Sequence, residues 1–172
     1  MYKQLETFRK AHGIEHSTGD LMSNVNDEVT EVLREIFKNN VLRMVDEFSD
    51  IVIYIINGLE QLGHDAESNI INAGRNAMTP STPTPTQAVA AIFMAESHYL
   101  LNKDVHALAL IANIALSAID TLGFHAKACV TEKAKCINSR EGAHNAEAGK
   151  WQKNPNQDPS TLYKPQYNNC KK

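Results

Sequence analysis

Asp46-Glu47-Phe48-Ser49-Asp50-Ile51-Val52-Ile53-Tyr54-Ile55-Ile56-Asn57-Gly58-Leu59-Glu60-Gln61-Leu62 can be read in two ways. The β-branched run 51–56 suits a buried strand. The length of the pattern favours a helix, because apolar residues recur over about twenty positions and strands are usually shorter than ten. Read as a helix, the segment has an apolar body of Val45, Phe48, Ile51, Val52, Ile55, Ile56 and Leu59. A polar stripe of Glu47, Asp50, Tyr54 and Asn57 runs into that body at helical spacing. The helix is the preferred reading and the buried strand its alternative.

Outward from this segment the chain punctuates itself with proline. Its six prolines are Pro80, Pro83, Pro85, Pro155, Pro159 and Pro165, so 1–79 and 86–154 are proline-free. Helical periodicity predicts helices over 2–11, 24–38, 42–62, 66–76, 87–101, 104–122 and 125–137. Thr79-Pro80-Ser81-Thr82-Pro83-Thr84-Pro85-Thr86 reads as a non-helical linker. The tail 138–172 is rich in Asn, Gly, Pro and Lys and reads as an irregular strap. Its Trp151, Tyr163 and Tyr167 suggest packing over the helices.

Leu59-Glu60-Gln61-Leu62-Gly63-His64-Asp65-Ala66 is echoed sixty residues later by Ile119-Asp120-Thr121-Leu122-Gly123-Phe124-His125-Ala126. Each follows a long apolar helix, and each Leu-Gly pair suits a helix C-cap. The expected fold is therefore all-α: a four-helix bundle from two tandem repeats, 1–79 and 87–137, joined by the linker 80–86. In it 24–38 packs antiparallel to 42–62, with 87–101 and 104–122 as counterparts.

The 172 residues are 42% hydrophobic and carry 17 basic against 20 acidic side chains, a net charge of −3. That hydrophobic content supports a core, and the negative charge argues against a general nucleic-acid binder. No apolar run approaches the ~20 residues that span a bilayer, so no membrane role is expected. Three cysteines without a CxxC argue for a reducing, cytoplasmic setting rather than a disulfide scaffold. An apolar face left over on the bundle makes a homodimer the expected assembly.

Glu28 and Glu31 share one face of the first bundle helix, and Glu47 and Asp50 share one face of the next. Antiparallel packing would point four carboxylates at one another. Such a group repels itself unless a cation sits among its oxygens, and all-oxygen ligation suits Mg²⁺. The competing reading is a solvated acidic face.

Glu28-x-x-Glu31 followed by Glu47-x-x-Asp50 resembles the ExxE…ExxD signature of the all-α nucleoside triphosphate pyrophosphohydrolases, the superfamily of MazG, the dimeric dUTPases and phosphoribosyl-ATP pyrophosphohydrolase. Asp50-Ile51-Val52-Ile53-Tyr54 with Asn57-Gly58 is similar to the continuation of that signature. The opening Leu5–Gly13 segment and the Asn- and Lys-containing tail resemble those of phage-type members. A shift of sixty carries the four acids onto Ala88, Ala91, Ala107 and Leu110, so the second half resembles a repeat that kept its packing and lost its ligands.

The resemblance implies hydrolysis of a nucleoside triphosphate between its α and β phosphates, with release of pyrophosphate. Glu28, Glu31, Glu47 and Asp50 would hold Mg²⁺, with Mn²⁺ as a substitute. Glu28 or Glu31 would take the proton of the attacking water. Tyr54, Asn57, Asn138, Arg140, Lys150 and Lys153 are the expected substrate contacts. Arg140 stands where the family has lysine. Lys133 and Lys135 are further candidates for the polyphosphate, each weighed against an ordinary surface role.

Overall fold

The computed structural model describes residues 18–76, 82–145 and 150–172. The helix expected over 2–11 and the first residues of the proline linker, 79–81, lie outside them. The described residues hold six α-helices: α1 Thr18–Phe37, α2 Val41–Gln61, α3 Ala66–Asn76, α4 Pro85–Asn102, α5 Val105–Thr121 and α6 Ala126–Asn138. A hairpin of β1 Gly142–Asn145 and β2 Lys150–Lys153 and a 3₁₀ turn, Tyr167–Cys170, follow. No helix among the described residues is long and apolar enough to cross a membrane.

The segment 46–62 is helical. All of Phe48, Ile51, Val52, Ile55 and Leu59 are fully buried, each removal from water contributing about 1.5–3 kcal/mol for a side chain of this size. A strand would send alternate residues to opposite faces. Helix α2 instead buries most of its circumference, because α1, α5 and α6 all pack on it.

Helices α1, α2, α5 and α4 form the ring of the bundle, each touching the next. The outer helices cross over: α3, which follows α2, packs mainly on α5, and α6, which follows α5, packs mainly on α2. Helices α1 and α2 form an antiparallel hairpin whose turn carries Asn39 in the left-handed region at φ 52°. Asn40 caps α2 by accepting a hydrogen bond from the Arg43 N–H at 3.4 Å.

Three boundaries differ from the sequence reading. Helix α1 begins at Thr18 rather than near 24, because Leu21, Met22 and Val25 continue its buried face. Helix α4 begins inside the expected linker, at Pro85. Proline is tolerated in the first turn of a helix, where its missing N–H has no intrahelical partner. Thr84 and Gln87 form a capping box there. The strap contains an ordered antiparallel hairpin, with Gly142 opposite Lys153 and Asn145 opposite Lys150.

The two Leu-Gly ends are the same structure. Gly63 and Gly123 are left-handed at φ 81° and 90°. Their N–H groups donate to Glu60 and Asp120 carbonyls at 3.1 and 3.2 Å, while His64 and Phe124 N–H groups reach back to Leu59 and Ile119 carbonyls at 2.9 and 3.3 Å. This is the paired hydrogen bonding of a Schellman cap. The side chains of Glu60 and Asp120 then accept from the Ala66 and Ala126 N–H groups at 3.3 and 3.4 Å, at the start of the following helices. Gly63→Ala and Gly123→Ala should each lower stability by about 1–2 kcal/mol, the cost of a left-handed residue with a Cβ, read by urea unfolding with unchanged m-value.

Candidate metal centre

The acids converge in part. Ligand oxygens of Glu28 on α1 and of Glu47 and Asp50 on α2 all lie within 4.8 Å of one another. Glu31 lies one turn along α1 at the rim, its side chain 45% exposed and 4.0 Å from Arg43. Glu47 is buried, and its Oε1 lies 2.7 Å from Arg43 Nη2 at an approach that is not aligned for a hydrogen bond. Arg43 thus compensates the charge of that oxygen without a hydrogen bond to it.

Two more residues complete it: Asp46, which the sequence reading did not single out, and Lys133, which it weighed as a polyphosphate contact against an ordinary surface cation. Asp46, one position before Glu47, accepts from Arg43 Nη1 at 2.8 Å, from Lys133 Nζ at 2.8 Å and from the Tyr167 hydroxyl at 2.5 Å. Lys133 is no surface cation. Its side chain is 5% exposed, and its Nζ lies 2.6 Å from Asp50 Oδ2 as well as 2.8 Å from Asp46 Oδ1. Its position on α6 was legible: 126, 129, 130, 133 and 134 are the buried face of that helix, so Lys133 is a lysine on an apolar stripe.

The tail is tied to the same helix. Glu132 accepts from the Tyr163 hydroxyl and from the Gln166 N–H at 2.9 Å. The Tyr163 N–H donates to Ser139 Oγ at 2.9 Å, and the His125 N–H to the Cys170 carbonyl at 2.7 Å.

Other expected site residues divide. Tyr54 is half-buried beside the cluster: burial, Glu28 and Asp50 push its hydroxyl up to about 12. Arg140 follows α6, and its charge draws the Asp50 and Tyr54 groups downward against their burial. Asn57 is half-buried one turn beyond Tyr54, and Asn138 is exposed at the end of α6. Lys150 and Lys153 sit at the two ends of β2, and their side chains lie outside the described residues.

The electrostatics of the cluster follow from crowding. Burial first, then Asp50, Glu47 and Glu31, push Glu28 up to about 8. Burial and Asp46 push Glu47 up to about 7, against Arg43 and Lys133. Burial raises Asp50 despite Lys133. Glu28, Glu31, Asp46, Glu47 and Asp50 are five acids, and Arg43, Lys133 and Arg140 three cations. Fully ionised, they leave two negative charges, the charge that one divalent ion would balance. The donor set is all oxygen, so the residues fit a hard divalent cation.

The raised acids have a consequence for stability. An unfolded glutamate titrates near 4.5, while Glu28 in the fold titrates near 8. Between those values the folded chain holds a proton that the unfolded chain has released, so stability falls as pH rises through the window. The metal-free protein should therefore melt at a lower temperature at pH 8 than at pH 5. Glu28→Gln should flatten this slope, and Mg²⁺ should raise the melting temperature more at pH 8 than at pH 6; scanning calorimetry across pH reads all three. Comparison of the chain with protein-family models, with curated proteins and with solved structures finds no match.

Proposed function

We propose that the chain is a Mg²⁺-dependent nucleoside triphosphate pyrophosphohydrolase, converting a (deoxy)nucleoside triphosphate to the monophosphate and pyrophosphate in control of the nucleotide pool. The reading includes a MazG-like bundle of two helical repeats in which only the first keeps its acids. The observation that carries it is the meeting of Glu28, Glu47 and Asp50, whose ligand oxygens lie within 4.8 Å of one another.

In this reading Glu28, Glu47 and Asp50 hold the ion, and Glu31 reaches it from the rim. Mn²⁺ could take its place. A bound divalent ion supplies neutralisation of phosphate charge and a more acidic water. Glu28 or Glu31 takes the proton of the attacking water, whichever keeps an oxygen free of the ion. Arg140 offers its guanidinium to the phosphates, and Tyr54 borders the same space. The remaining work is to hold the α-phosphorus in line with the water, which positioning and charge supply without a covalent intermediate.

Assembly as a homodimer is part of the proposal. Phe93, Met94, Leu100 and Leu101 are exposed along α4, and a second copy would cover them. The free thiols Cys129, Cys136 and Cys170 suit a reducing cytoplasm.

A second reading is a catalytically weak or inactive bundle that binds a nucleotide or a protein partner. It is favoured by Lys133, whose amine already compensates Asp50. Pyrophosphate release from a panel of nucleoside triphosphates, with and without Mg²⁺, separates the two. Under the first reading, release is strictly Mg²⁺-dependent, and Asp50→Asn lowers kcat by at least about a thousandfold, the scale of losing a group made essential by charge stabilisation, with the helical circular dichroism unchanged. Release that persists undiminished in Asp50→Asn, or none from any triphosphate, sinks it.

A further inference from the structure

Lys133 presents a conflict that the site cannot avoid. Its Nζ is 2.6 Å from Asp50 Oδ2, and Asp50 is one of three residues whose ligand oxygens lie within 4.8 Å of one another. Lys133 thus occupies one oxygen of Asp50, and its charge repels a divalent cation brought to the same carboxylate. Arg43 is a weaker competitor, because its side chain is half exposed and water screens it. Lys133 is buried, with nothing between it and the acids to screen its charge. It also has a second anchor. Asp46 Oδ1 accepts from it at 2.8 Å, and Asp46 is fixed by Arg43 and the Tyr167 hydroxyl. Asp46 thus accepts from three donors, two of them cationic, which makes it a holder of cations.

We infer that Lys133 is a tethered counter-ion of the metal centre: its amine neutralises Asp50 when the cluster is empty, and a divalent ion binds against its charge, with Asp46 left to hold the amine. The inference rests on the reading of Glu28, Glu47 and Asp50 as a divalent-cation site. The device keeps buried acids from standing uncompensated in the metal-free chain, at the cost of metal affinity. Lys133 is thus a positioning residue that sets the affinity of the cluster. The Tyr167 hydroxyl, on the same Asp46 oxygen, ties the C-terminal strap to the carboxylate that holds the amine.

Calorimetric titration with Mn²⁺ of the full chain, Lys133→Met and Lys133→Arg tests it. Lys133→Met removes the competing charge and should bind Mn²⁺ about tenfold more tightly or better. Lys133→Arg keeps the charge and should stay near the wild-type affinity. If Lys133→Met fails to fold, the side-chain ¹⁵N resonance of the buried ammonium in the wild-type chain, identified by its loss in Lys133→Arg, supplies the answer: it should shift as Mg²⁺ is added and saturate with the metal. A resonance unmoved by saturating Mg²⁺, or a Lys133→Met chain that binds Mn²⁺ no more tightly than wild type, overturns the inference while leaving the metal site standing. Absence of Mn²⁺ binding in all three chains sinks the metal site and the inference together.

Discussion

Glu47 and Asp50 lie on a helix whose other faces are core. That constraint governs the rest of the molecule. Helix α2 buries Phe48, Ile51, Val52, Ile55, Ile56 and Leu59, so it cannot turn its acids to water by rotating without exposing a larger apolar face. The carboxylates are committed to the interface with α1 and α6, and each neighbour must answer them. Helix α1 adds a further acid, Glu28, which increases the repulsion. Helix α6 adds Lys133, which relieves it. Isolated buried charges cost far more than paired ones, so Lys133 is as much a condition of folding as a part of the site.

The strap follows from the same commitment. Asp46 sits one residue before Glu47 and accepts from three donors on three parts of the chain: α2 itself, α6 and the C-terminal 3₁₀ turn. A tail of low apolar content has little hydrophobic reason to dock. It is held instead by charge-assisted and backbone hydrogen bonds to Glu132, Ser139 and Asp46, with Tyr167 and Cys170 buried as its apolar contribution.

What was legible in the sequence divides along physical lines. Local periodicity and cap chemistry act within a few residues, so the helices and the two Leu-Gly ends could be read directly. Helix α4 shows the limit: three prolines in six residues suggest a break, yet Pro85 is the first residue of a helix because only helix interiors need its missing N–H. The pairing of Glu47 with Asp50 was visible because spacing on one helix is local. The part of the site contributed from a distance was not. Lys133 meets Asp46 across 87 positions and Tyr167 meets it across 121, and no local rule links them. The charge of Lys133 on a buried stripe was a signal in itself, since a lysine among Cys129, Val130 and Ala134 must find an acid.

The register of sixty, fixed by the matching caps, extends this logic to the other half of the bundle. It carries Glu47 onto Ala107 and Asp50 onto Leu110 on α5. It also carries Lys133 on α6 back onto Ala73 on α3, the helix that packs on α5 as α6 packs on α2. Ala73 and Ala107 are buried, and Leu110 packs against the core. Acids and lysine thus stand together in one half, and apolar residues occupy the sixty-shifted positions of the other. A lysine at 73 would stand buried without a carboxylate, and an acid at 110 without a cation. Either alone costs more than losing both, because removing one partner of a buried pair strands the other. With Ala73 so small, α3 can lie close to α5. The backbone at Gly74 leaves no room for a Cβ, which would meet Asn113 Nδ2 at 2.3 Å. The same packing scheme therefore serves two ends: a charged seam where α6 covers α2, and a tight apolar one where α3 covers α5.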